Sequence, residues 1–213
     1  FTHAPQLGEF VVPVNIVQAQ GLSLAARPWP AYAGSDTVAV TTFNQLEETG
    51  QYQQGSLESL LSLSDGTFAD VSTSAETSFA MEPSSNVFSI AQPNRLSANG
   101  AGAVQITATF GDQVSPTVAL TASSTGVNVT TLGLDFPSTF KGVANWKTED
   151  IEVTATFDDG SIITNAEDIA GLLTYESSHP DAATLDSSGT ATLHANHRQP
   201  VTLTVTAATS GSA

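Results

Sequence analysis

The chain contains no cysteine. That excludes disulfide staples, thiolate nucleophiles and Cys-based zinc or iron–sulfur sites, and leaves packing to supply the stability. Basic residues are scarce as well, with 5 Lys and Arg against 21 Asp and Glu and a formal net charge of −16. So acidic a chain repels phosphate backbones, and nucleic acid is excluded as a partner. No apolar run approaches the ~20 residues that span a bilayer, and no basic stretch followed by an apolar one opens the sequence, so no membrane insertion is expected. Nucleophile and nucleotide motifs are missing too: there is no Gly-x-Ser-x-Gly, no phosphate loop ending in Lys-Ser/Thr and no dinucleotide fingerprint. The chain is read as a non-enzyme.

What remains is 213 residues, 40% of them hydrophobic. This is too long for one sandwich of about 100 residues and suits two. Apolar residues recur with period two at Val104, Ile106, Ala108 and Phe110, at Ile151, Val153, Ala155 and Phe157, and at Val201, Leu203 and Val205. That is the spacing of half-buried strands. Between them stand turn dipeptides, Asp65-Gly66, Gly111-Asp112 and Asp159-Gly160, the chemistry of antiparallel hairpins. A short helix is expected at most over residues 167–173. The fold class that follows is all-β, tandem antiparallel sandwiches.

The two halves are copies of each other. Leu63-Ser64-Asp65-Gly66-Thr67 matches Phe157-Asp158-Asp159-Gly160-Ser161 at an offset of 94 (65 to 159), and the block from Leu96 matches that from Leu193 at an offset of 97 (96 to 193). A drift of three residues is what a loop insertion leaves. The division expected is 1–20 as an orphan strand, 21–123 as a first domain and 124–213 as a second. The first copy carries a polar insertion around Thr49-Gly50-Gln51-Tyr52-Gln53-Gln54-Gly55, the kind of loop on which binding is often placed.

These residues carry a family resemblance. Tyr175, Ser177-Ser178-His179-Pro180, Ala183-Thr184-Leu185, Ser188-Gly189 and Val201-Thr202-Leu203-Thr204-Val205, with Gly100-Ala101-Gly102 and Ile106-Thr107-Ala108-Thr109 in the first copy, resemble bacterial immunoglobulin-like group 2 repeats. The first copy departs at Met81 and Pro83, and the second replaces the Gly-rich turn with His197-Arg198-Gln199-Pro200. The resemblance implies that the two tandem sandwiches are immunoglobulin-like, of about seven strands each, as found in surface adhesins, invasin-like stalks, phage particles or accessory parts of secreted enzymes, with no shared chemistry. Together with the absent cysteine and the abundant Ser, Thr, Ala and Gly, it places the protein outside the cell or on a bacterial cell surface.

The sequence before residue 20 reads as a last strand without its domain, because residues 7–19 resemble residues 110–122. The second copy, by contrast, has no counterpart of residues 114–122. Matching side-chain faces sets Val14 on Val118 and Ile16 on Leu120, which makes Phe10, Val12, Val14 and Ile16 the inward face of a donor strand. The acceptor is then the strand holding Val201, Leu203 and Val205. Two readings stay open here: a piece of a longer array cut in mid-domain, or a subunit whose first strand fills the open sandwich of another copy. The second makes the protein an extracellular structural or adhesive subunit of a head-to-tail filament. The alternatives are a monomeric stalk fragment of a large surface adhesin and a glycan-binding accessory module.

Other chemistry is thin. Glu149-Asp150 and Asp158-Asp159 are weak calcium candidates, neighbours in sequence whose convergence the sequence does not show; no other cofactor is called for. Trp29, held between Pro28 and Pro30, is the candidate contact for a host or matrix glycan and equally suits a wedge against a neighbouring domain. His194 and His197, three apart, would point to opposite faces of a strand rather than to one metal.

Overall fold

The structure, a computed structural model, describes residues 14, 16–46, 49–83, 86–137, 139–142, 144, 147–164 and 171–207. The first ten strands run β1 (Ala19–Trp29), β2 (Thr42–Leu46), β3 (Gln54–Leu63), β4 (Phe68–Asp70), β5 (Thr77–Glu82), β6 (Phe88–Ala91), β7 (Arg95–Ala98), β8 (Gly102–Phe110), β9 (Gln113–Val114) and β10 (Val118–Val127). They form two facing sheets, ordered β1-β3-β7-β6 with β4 beside β3, and β2-β10-β8-β5 with β9 beside β8. Along β3, inward Gly55, Leu57, Ser59 and Leu61 alternate with half-buried neighbours, as period two demands of a strand with one face on the core. Phe43, Leu57, Phe88, Leu96, Ile106 and Leu120 fill that core, Phe43 meeting Phe88 edge-on with ring centroids 5.4 Å apart. Glycine is required at residue 55, where an added Cβ would lie 2.9 Å from both Arg27 O and Phe43 Cε1.

The second sandwich repeats the first. Its strands are β11 (Val129–Asp135), β12 (Thr148–Asp150), β13 (Glu152–Phe157), β14 (Ile162–Ile163), β15 (Leu173–Ser177), β16 (Ala183–Leu185), β17 (Thr190–Leu193) and β18 (Leu203–Ala207). The sheets β11-β13-β14 and β12-β17-β16 together match β1-β3-β7-β6, with the long β3 broken in two at Ile151. Opposite them lies the pair β15-β18, the counterpart of β5-β8. The core consists of Val127, Ile151, Val153, Ala155, Phe157, Ile163, Leu172 and Leu173. The fold is thus all-β, two antiparallel immunoglobulin-like sandwiches in tandem.

The repeated hairpin turns are the same object twice. Asp65 Oδ1 accepts from Thr67 N at 3.0 Å and from Thr67 Oγ1 at 2.7 Å; Asp159 Oδ1 accepts from Ser161 N at 2.9 Å and from Ser161 Oγ at 2.6 Å. Gly66 and Gly160 follow at φ 83° and 81°, left-handed backbone that a side chain would strain.

Two local expectations are revised or left aside. The strand expected to hold Val201, Leu203 and Val205 begins at Leu203. Its ladder to β15 starts at the Ser177–Leu203 pair, and the Ser178 hydroxyl takes the Thr202 N–H at 2.9 Å, so Val201 and Thr202 leave the sheet. Of the helix expected over 167–173, residues 167–170 lie outside the described residues, and Leu173 opens β15.

Candidate functional site

The site is built by comparing the two sandwiches at one place. In the first, β10 lies between β8, which it pairs antiparallel, and β2, which it pairs in parallel. Its Leu120 and Ala122 point into the core and are buried. In the second, the counterparts of those flanking strands are β18 and residues 136, 137, 139 and 140. Among the described residues no strand lies between them. What lies there is a groove of about 630 Å³ walled by Leu134, Phe136, Phe140, Ile151, Leu193 and Leu203, with His197, Arg198 and Val201 also on its lining. Ile106 of β8 is 0% exposed, whereas its equivalent Leu203 is half-buried, as are Val201 and Val205. An apolar slot beside an unpaired ladder edge is fitted to take an extended apolar segment, backbone bonds giving the hold and alternate side chains the selectivity.

Of the proposed donor face, Phe10 and Val12 lie outside the described residues. Val14 and Ile16 stand out from the body, 79% and 88% exposed, and belong to no strand. Gln18, just after them, is tied down: its N–H donates to Ser64 Oγ at 3.0 Å and its carbonyl accepts from Ser64 N at 2.9 Å.

A second constellation sits at the seam between the sandwiches. β2 runs out of the first sandwich, and its last residue, Leu46, is 2% exposed among the core residues of the second. Behind it the chain returns, Gln45 bridging Tyr52. Asn44 Nδ2 and Gln53 Nε2 then donate to Asp159 Oδ2 at 2.9 Å and 2.8 Å. Burial pushes the Asp159 carboxyl up, but hydrogen bonds from Ser161, Asn44 and Gln53 outweigh it and hold its pKa below the ordinary carboxylate value.

Among solved structures, the chain is similar to surface layer protein SbsC. Over its domains 1–6 the identity is 17% and the TM-score 0.39, covering 95% of this chain and 28% of that one. Over its domains 4 and 5 the identity is 17% and the TM-score 0.37, covering 89% and 94%. A mutant of EHEC intimin is similar at 17% identity and a TM-score of 0.30, covering 57% and 52%. This chain thus spans 28% of the length of the six-domain SbsC structure. No family model matches the chain, and no curated protein does.

The remaining sequence candidates do not gather. Glu149 pairs with Lys147, Asp150 accepts from Thr190 Oγ1 at 2.7 Å, Asp158 meets Asn128 Nδ2 at 3.5 Å, and Asp159 is held at the seam. Among the described residues no three His, Asp or Glu side chains come together in a way that could hold a metal ion. Trp29 is half-buried rather than projecting, with the Arg95 guanidinium 5.4 Å from its ring centroid. It lines a cleft of about 330 Å³ along the seam, shared with Tyr32, Asn44, Gln53 and Asp159, and its buried Nε1 has no hydrogen-bond partner. His194 Nε2 meets Thr184 Oγ1 at 2.7 Å, while His197 stacks on His179 with centroids 4.3 Å apart.

The residues that sequence reasoning missed are Asn44, Leu46 and Gln53. Their one signal was the polar, turn-rich stretch around Gln53, which flagged a loop but gave no target for it.

Proposed function

We propose that the protein is an extracellular or cell-surface structural subunit whose copies join head to tail, residues 10–17 of one copy lying as a strand in the groove beside β18 of the next. The groove is the observation that carries this reading. It occupies the place where the first sandwich holds β10, between the counterparts of β10's two neighbours.

The pairing follows from the repeat. Val118 faces Ile106 and Leu120 faces Val104 across β10 and β8, so Val14 would face Leu203, the first residue of β18, and Ile16 would lie over Val201, which precedes that strand. Each large apolar side chain moved from solvent into the slot contributes roughly 1.5–3 kcal/mol, set against the cost of ordering the strand. Donor and acceptor surfaces differ, so the contact does not close on itself and propagates as a fibre.

Light scattering of the untagged chain, with negative-stain imaging of the same sample, tests the reading. Long fibres are expected, lost on deleting residues 1–17 and in Val14→Asp, whose site is exposed and costs the fold nothing. A clean monomer in native salt and calcium overturns it and leaves a stalk module.

A further inference from the structure

We infer that copies meet through a second contact, in which the turn carrying Asp65 and Phe68 docks beside Lys147 on the C-terminal sandwich of the next copy, carboxylate to ammonium. This rests on the head-to-tail reading and adds to it a polar contact outside the groove.

The seam inside the chain supplies the template. There, the turn of the second sandwich is held by Gln53, the residue just before β3, through Asp159. The repeat carries each partner across at an offset of 94: Gln53 to Lys147, the residue just before β12, and Asp159 to Asp65. Where the chain has an amide meeting a carboxylate, two copies would have an ammonium meeting one.

Three features of the Asp65 turn fit such a contact. First, its internal geometry is that of the Asp159 turn, and Asp65 spends Oδ1 on Thr67 while Oδ2 has no partner among the described residues. Second, Phe68 is 69% exposed, whereas its equivalent Ile162 is half-buried and lines the seam cleft. An exposed phenylalanine where the repeat has a contact residue marks an uncovered surface. Third, the turn is bound to the donor segment. Ser64 and Gln18 hydrogen-bond each other as Asp158 N and Asn128 O do, at 3.0 Å, in the second sandwich. If residues up to 17 enter a neighbour's groove, the turn is carried to that neighbour's rim.

The charges agree. Of the 5 basic residues, Arg27 pairs with Glu58 and Arg95 covers Trp29. The other three lie on or beside the groove wall: Arg198 lines it, Lys141 follows Phe140, and Lys147 Nζ, which pairs with Glu149 and keeps part of its surface exposed, stands 6.0 Å from the Phe140 ring. In a chain of net charge −16, three of the five basic residues beside one groove favour an acidic surface as its partner.

Charge exchange is the test. Asp65→Lys and Lys147→Asp should each raise the concentration needed for fibre assembly about tenfold, and the double variant should restore it. Thermal melts of all three variants check that the sandwiches stay folded. Fibres that assemble unchanged in both single variants, or that are not rescued in the double, overturn this contact while the strand reading stands on its own deletion. A wild-type chain that never assembles overturns both.

Discussion

Gln53 donates its amide Nε2–H to Asp159 Oδ2 at 2.8 Å, and the same nitrogen lies 2.7 Å from Ser161 Oγ. One side chain of the first sandwich thereby holds both ends of a hairpin turn in the second. The turn at Asp65 has the same internal bonds and, among the described residues, no such holder, so a single local motif is exposed in one sandwich and a joint in the other.

Acid should loosen that joint. The Asp159 pKa is lowered in the folded chain, so its contribution to stability is full above the unfolded carboxylate value of ~3.9 and is lost as pH falls through the folded value. Gln53→Ala should cost about 1 kcal/mol near neutral pH, since it removes a bond to a charged group that is still partly solvated. The gap in melting temperature between the variant and wild type should then narrow at pH 3. A gap that stays constant from pH 7 to pH 3 would show that the Asp159 charge plays no part.

Leu46→Ala should cost about 2–5 kcal/mol, the usual range for emptying a buried leucine site. The loss should fall on the sandwich to which residue 46 does not belong by sequence. Hydrogen exchange reads this directly: the amides of Val153 and Ala155 lose protection while those of Leu57 and Leu120 keep theirs. Protection lost evenly in both, or in the first alone, would contradict the placement of Leu46 in the second core.

Two serines 13 positions apart should respond oppositely to the same change. Ser59 is fully buried, and its Oγ has no partner among the described residues. Ser72 Oγ accepts the Ser59 N–H at 2.8 Å and donates to Asp70. Ser59→Ala should be neutral or stabilise by up to about 1 kcal/mol, whereas Ser72→Ala leaves a buried N–H unpaired and should cost about 1–3 kcal/mol. Urea unfolding with matched slopes measures both; equal losses would point to an internal water on Ser59.

What the sequence made legible was local. The alternation at Ile151, Val153, Ala155 and Phe157 and the Asp-Gly turns depend on neighbours in the chain, and so does the repeat that gives Gln53 its counterpart in Lys147. The seam was hidden for the opposite reason. Leu46 is followed by polar residues and reads as the end of a strand; nothing nearby says that its side chain lodges in a core built from residues more than 80 positions away. Trp29 between two prolines left a glycan contact and a wedge against the neighbouring domain equally open, because the cleft that half-buries it is made in part by the turn at Asp159. The start of β18 at Leu203 was likewise set at a distance, by the Ser178 hydroxyl competing for the Thr202 N–H.

Between β10 and β11 the chain spends a single residue, Asn128. A pull on the second sandwich is therefore delivered lengthwise to β10, which is gripped by β8 on one side and β2 on the other. The antiparallel rungs to β8 run across the strand and the parallel ones to β2 are slanted, and a lengthwise pull loads both ladders in shear instead of peeling them off one by one. Because resistance to forced unfolding is set by the unfolding rate, a ladder that must fail as a unit makes the junction behave like a splice in a rope, holding until the whole overlap slips.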